Sequence, residues 1–192
     1  MPLPNRITPF GDFIATPARG LLMGNRGGRL HDDEGRLGAC RWASKRWIYL
    51  LPTRFQRPAS QCLGRRLYRT LLPRRGDRLR RRPSALFSGQ AQRAPAAAID
   101  RLLHTERLAG AAKRKHRRRL DTLPDGAMIA RAGEAFAVHS AQLLRWTPAG
   151  YSQGVPRPSA TEVDVLTPSG IIDVLAAGYA PFWHASAAGR SF

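Results

Sequence analysis

Residues 127–146 read AMIARAGEAFAVHSAQLLRW. Three short runs stand in this stretch: Ala127-Met128-Ile129-Ala130, Ala135-Phe136-Ala137-Val138 and Gln142-Leu143-Leu144-Arg145-Trp146. Each is too short for a helix. Ala132-Gly133 and Ser140-Ala141 offer small or polar residues for two tight reversals. The spacing predicts three antiparallel strands in a meander. Upstream, Leu123-Pro124-Asp125-Gly126 predicts a turn, because Pro presets φ and Gly supplies φ > 0. Downstream, Thr147-Pro148-Ala149-Gly150 turns the chain again. Glu162-Val163-Asp164-Val165-Leu166 then alternates polar and apolar, as a half-buried strand does.

Helices flank these strands. Thr167 precedes Pro168, so Thr167 is the expected N-cap and Pro168 the first residue of a helix over 168–177. Ile171, Ile172, Val174 and Leu175 supply its apolar face, and Gly178 its C′ stop. Before the strands, Ile99, Leu102, Leu103 and Leu108 recur near helical spacing, which predicts a helix over 96–112. It runs into Lys113-Arg114-Lys115-His116-Arg117-Arg118-Arg119, where cations complement a helix C-terminus or bind phosphate. Residues 93–192 thus read as one α+β unit. It is a small antiparallel sheet, curled into a partial barrel and closed by a short C-terminal helix.

The N-terminal part, 1–49, is expected to hold short strands. Phe13-Ile14-Ala15 and Leu21-Leu22-Met23 flank Pro17 and Gly20, and Trp47-Ile48-Tyr49-Leu50 has strand composition. Gly24-Asn25-Arg26-Gly27-Gly28-Arg29-Leu30-His31-Asp32 reads as a glycine-rich hairpin turn. Its other reading is a phosphate cradle with Arg26 and Arg29 alongside. Trp42 and Trp47 bracket Lys45 and Arg46, an arrangement that stacks on bases or packs in a core.

The middle, 50–92, does not fit either end. The chain of 192 residues carries a formal charge of +19, and this segment holds eleven Arg, no Lys and one acid, Asp77. Leu67, Leu71, Leu72 and Leu79 stand among uncompensated Arg, a local conflict that foldable sequences avoid. The segment reads as disordered or as translated out of frame. Back-translating Arg74 to Leu86 and reading from the second base of each codon permits DEATAFAAGHRPC, with a helical apolar pattern, a turn and a cysteine.

Several motifs at the two ends resemble a family of uncharacterised proteobacterial proteins. They are Ile7-Thr8-Pro9-Phe10-Gly11, the Gly24–Asp32 stretch, and Leu144-Arg145-Trp146-Thr147-Pro148 with Gly150-Tyr151. Val165-Leu166-Thr167-Pro168 and Ala177-Gly178-Tyr179, with Pro181 and Trp183-His184, continue the likeness. The family pattern has EATA and AAGHRPC-x-x-C in the region where this chain has 50–92, and that piece is similar to half of the zinc site of Ada-type DNA repair proteins. The cysteines of that pattern are absent here, so no ligand carries over. The resemblance supplies no reaction.

Chemistry elsewhere is sparse. Cys40 and Cys62 show no C-x-x-C spacing, so they read as free thiols rather than as a disulfide framework or zinc site. His104-Thr105-Glu106 lacks the following P-C-x-x-C of a zinc deaminase. His31-Asp32-Asp33-Glu34 reads as a polar turn before a cation site. His139 and His184 have no partner placed by motif, and there is no G-x-S-x-G. No catalytic, cofactor or metal residue is assigned, and the reading leans away from an enzyme. No signal sequence and no membrane span are expected, so cytoplasm is the default. The positive charge outside 50–92 leads to the main expectation, a weak nucleic-acid-binding module that does not read sequence. Its expected phosphate contacts are Arg26, Arg29, Lys45, Arg46, Lys113, Arg114, Lys115, Arg117, Arg118 and Arg119. The rival readings are a frameshifted frame without function of its own, and the remnant of a metal-binding, DNA-repair-like protein that has lost its Cys site.

Overall fold

The meander expected at 127–146 forms, and it seeds a larger sheet. The computed structural model describes residues 4–18, 23–25, 32, 34–38, 48–50, 96–110, 112–181 and 183–187. The N-terminal strands are β1 (Pro4–Ile7), β2 (Phe13–Ala15), β3 (Met23–Asn25) and β4 (Ile48–Leu50). Helix α1 (Ala96–Arg107) leads to β5 (Leu108–Ala109), β6 (Ala112–Lys113) and β7 (His116–Arg119). Then follow β8 (Met128–Arg131), β9 (Glu134–His139), β10 (Gln142–Thr147), β11 (Gly150–Pro156), β12 (Glu162–Val165) and α2 (Ser169–Ala176).

Six strands pair in the order β11-β10-β9-β8-β12-β7, every neighbour antiparallel. β8 to β11 are the meander. β12 returns to lie beside β8, and β7 pairs outside it. Among the described residues β11 and β7 are the edges and do not pair with each other, so the sheet they form is open and makes no closed barrel. The mixed helix and antiparallel strand content agrees with the α+β expectation.

One face of the sheet carries the main core. Ile129, Phe136, Val138, Leu143, Val163 and Val165 cluster there with Leu120 and Leu123 from the β7–β8 connection and Ile172 from α2. The Arg157 guanidinium donates to the carbonyls of Leu120 and Leu123. It thereby ties the segment after β11 to that same connection. α1 packs on the far side of α2, with Ile99 and Leu103 against Val174. The Glu106 carboxylate at the end of α1 accepts the Gly170 N–H at 2.9 Å, satisfying an orphan donor in the first turn of α2.

The opposite face is also covered over β9 and β10. Ala135, Ala137 and Leu144 are buried there. Trp183 meets His139 edge-on at 4.6 Å between ring centroids and Tyr151 at 5.8 Å. Burial pushes the Tyr151 phenol above its usual pKa. Gly150 is required where the C-terminal 3-10 turn (Ala185–Ala187) crosses: a Cβ there would stand 2.6 Å from Ser186 Oγ and 2.7 Å from His184 Nδ1.

Local rules explain most boundaries. Pro124–Ala127 closes a turn with Gly126 at φ +87° and a 3.2 Å bond from Ala127 N–H to Pro124 O. α2 ends in a Schellman arrangement, with Gly178 N–H on Leu175 O and Tyr179 N–H on Val174 O. Thr167, however, is not the N-cap. Pro168 occupies that position without a side-chain cap, and Thr167 Oγ1 accepts the Met128 N–H at 2.8 Å. The sheet has the stronger claim on this hydroxyl, since Thr167 N–H is also held by Met128 O.

The helix expected over 96–112 stops at Arg107. The chain reverses there through β5 and β6 around Gly110, whose φ of +64° suits glycine. The basic run therefore does not sit on a helix end. β11 was not expected at all. Phe13–Ala15 pairs with β1, and Met23 belongs to a strand that pairs with β4. Leu21 and Leu22 lie outside the described residues, as do Trp47, the cysteines Cys40 and Cys62, and all of 51–95.

The β8–β9 loop gives a direct stability test. Ala132 and Gly133 have φ of +49° and +78°, as a type I′ hairpin requires. Ala132→Gly is expected to raise stability by about 0.5–1 kcal/mol, because alanine is strained in that region, and Gly133→Ala to lower it by about 1 kcal/mol. Shifts in the urea midpoint at constant slope check both.

Candidate nucleic-acid interface

β7 is a strand because β12 supplies its partner. Its own sequence, His-Arg-Arg-Arg, has no strand period. The register sets Arg119 opposite Glu162 and Arg117 opposite Asp164, while Arg118 and His116 face Val163 and Val165. Opposite charges across a strand pair contribute about 0.2–1 kcal/mol each. The alternation of β12 thus imposes a facing on β7. Arg117 and Arg119 lie on the face of the acids, and Arg118 on the face of the core, out at the edge.

The ion pairs follow this facing. Arg117 reaches Glu162 at 3.1 Å and Asp164 at 4.0 Å, and Lys115 reaches Asp164 at 3.5 Å. Arg119 turns back on Asp121, with Nε 3.1 Å from Oδ1. This hydrogen bond holds the Asp121 carboxyl below its usual pKa and raises that of Arg119. Arg118 is exposed and donates to Ser169 Oγ at 3.4 Å. Arg114 is exposed, its Nε on Leu108 O at 3.0 Å. Lys113 belongs to β6.

The structure therefore brings together Lys113, Arg114, Lys115, Arg117, Arg118 and Arg119 at the start and edge of the sheet. Asp121, Glu162 and Asp164 stand among them. Six cations against three carboxylates leave a positive excess. Exposed pairs of this kind hold by about 0–1 kcal/mol, so a phosphate oxygen can replace the carboxylate at little cost. Arg26, Arg29, Lys45 and Arg46 lie outside the described residues.

Other singled-out groups have structural partners. Asp32 and Glu34 both bind Arg36, at 2.9 and 3.1 Å, within a turn closed by Gly35 N–H on Asp32 O. His31 and Asp33 lie outside the described residues. Among the described residues no three His, Cys, Asp or Glu groups gather as a metal site would need. His184 Nδ1 lies 2.9 Å from Ser186 Oγ and accepts the Ser186 N–H at 3.2 Å, which caps the last 3-10 turn. His139 packs on Trp183. Sequence reasoning left both histidines without partners: His139 meets Trp183 across dozens of residues, while the bond of His184 to Ser186 is local but carries no motif that marks it. Among the described residues no helix is long and apolar enough to cross a membrane.

Compared with family models, with curated proteins and with solved structures, the chain matches none.

The Arg119–Asp121 contact predicts a pH response. A carboxyl with a lowered folded-state pKa adds stability above its unfolded pKa, and that share is lost as pH falls through the folded value. The Asp121 carboxyl is expected to protonate below the usual aspartate range in an NMR titration, and Arg119→Gln to return it to that range.

Proposed function

We propose that the chain binds nucleic acid through its phosphates, without reading sequence, along β7 and the residues that lead into it. One observation carries this reading: Arg117, Arg118 and Arg119 are consecutive, exposed, and held on an open sheet edge. Rigid strand geometry spaces Arg117 and Arg119, which share a face, by about 6.6 Å and sets Arg118 on the other face of the same edge, so the cations hold fixed positions rather than a diffuse cloud. Arg supplies forked donors that match phosphate oxygens. The carboxylates of Asp121, Glu162 and Asp164 keep these cations from self-repulsion in the free protein. They are displaced when phosphate arrives. The net charge of +19 adds long-range attraction. In the same reading Arg26, Arg29, Lys45 and Arg46 are further phosphate contacts.

Fluorescence anisotropy with a 20-base-pair duplex over a salt series tests it. Log affinity is expected to fall linearly with log salt. The triple change Arg117→Gln, Arg118→Gln and Arg119→Gln should reduce that slope by about 2–3, near 0.9 for each lost phosphate contact. Removing three arginines elsewhere, by Arg54→Gln, Arg57→Gln and Arg65→Gln, should change it less. No binding at low salt, or equal effects of the two triple variants, would refute the assignment to β7.

A further inference from the structure

We infer that the cleft between the β1–β2 hairpin and the end of the sheet where β9 begins and β10 ends takes one unstacked nucleobase that carries an exocyclic amine, with Trp146 as its stacking surface. This deepens the proposed phosphate-binding reading and rests on it. The cleft is open and encloses about 390 Å³, within the range of small-ligand sites. Thr8, Phe10 and Asp12 line it from the hairpin turn, and Glu134, Arg145 and Trp146 from the sheet.

Phe10, Asp12 and Trp146 combine what base recognition needs, while Glu134 and Arg145 pair with each other at 2.8 Å on the face of Phe136 and border the cleft at the sheet's end. Phe10 and Trp146 offer aromatic faces, and stacking on such a face tolerates any base. The carboxylate of Asp12 is an acceptor, suited to an amine such as cytosine N4. Among the described residues it is in use at one point, where Oδ2 accepts from Thr8 Oγ1 at 3.4 Å. An ionised carboxylate has about four acceptor sites, so capacity remains. Arg145 also donates to Ser152, which holds its fork in place. Trp146 is steadied by Arg6, whose Cζ stands 6.0 Å from the ring centroid. A small free cation suits the carboxylates but is opposed by the +19 chain and by Arg145 in the lining.

The sheet register connects this cleft to β7. Arg117 pairs with Asp164, Asp164 with Ala130, and Ala130 with Ala135, which itself lines the cleft. These residues form one row on one face. Ala130 stands half-buried in its middle, and Ala135 is buried where the row meets the cleft. Four strand spacings, about 19 Å, separate Trp146 from Arg117. The base enters the cleft, where carboxylates repel phosphate, and the backbone follows the row to the arginines.

Two measurements on the full chain test this. In the first, cytidine or thymidine is titrated against tryptophan fluorescence. Cytidine has the amine and thymidine lacks it. Cytidine is expected to quench more strongly, and Trp146→Leu to abolish the difference. In the second, the affinities of dC10 and dT10 oligomers are compared, with dC10 expected to bind at least about fivefold tighter. Asp12→Asn, at an exposed position, should erase that preference and keep the salt dependence. Equal binding of the two oligomers together with equal quenching overturns the cleft assignment while leaving phosphate binding intact. A preference that survives both variants overturns it as well. Cytidine quenching without oligomer binding upholds the cleft and refutes the phosphate reading. Neither signal refutes both.

Discussion

Leu143 faces Val138 across β10 and β9 on one side of the sheet, and Leu144 faces Ala137 on the other. All four are sealed from solvent, at 0% exposure. The rest of the fold depends on this two-sided burial. A sheet with one dry face needs only α2 and the Leu120–Leu123 connection above it. A sheet dry on both faces needs a second cover, and here the final Trp183–Ala187 segment provides one, held by Ser186 Oγ on the Tyr151 N–H at 2.7 Å. Loss of either cover would expose buried side chains at about 25 cal/mol per Å² of apolar surface.

The edge strand solves a different problem. An unpaired strand edge is a template for unwanted pairing, and charged side chains blunt it. The arginines of β7 serve that purpose whatever they bind. The acids of β12 make it tolerable to place three of them in sequence. The carboxylate ladder and the cation row are therefore one device with two consequences: a soluble edge and a surface whose counter-charges are loosely held. Glu106 links this edge to the helices, because its carboxylate caps α2 while its carbonyl lies 3.4 Å from His116 Nε2 at the start of β7.

The strands of the meander were legible because the reversals are local. Ala132-Gly133 and Ser140-Ala141 announce themselves, and the runs between them have strand length. The alternation of β12 was legible for the same reason. The basic run was misread because its conformation is set by a partner more than forty residues away. Seven polar residues carry no period that tells a helix end from an edge strand. β11 was missed because Gly154 interrupts its apolar pattern. The nearest atom a Cβ there would meet is the end of the Gln142 side chain on the paired strand, a neighbour that no local spacing reveals. The cleft was illegible for a similar reason. Phe10 and Asp12 are more than a hundred residues from Glu134 and Trp146 in the chain. Of the expected contacts, those from Lys113 to Arg119 do gather, with Arg117, Arg118 and Arg119 on an edge strand rather than at a helix end.

Native-state hydrogen exchange of the full chain tests the two-sided burial most directly. Amides of β9 and β10, Val138 and Leu144 among them, should exchange only through global unfolding. Those of β7 should open locally and sooner, as edge amides do. If the amides of β9 and β10 exchange as fast as those of β7, the double-covered pair is not the centre of stability, and the account of the fold is wrong.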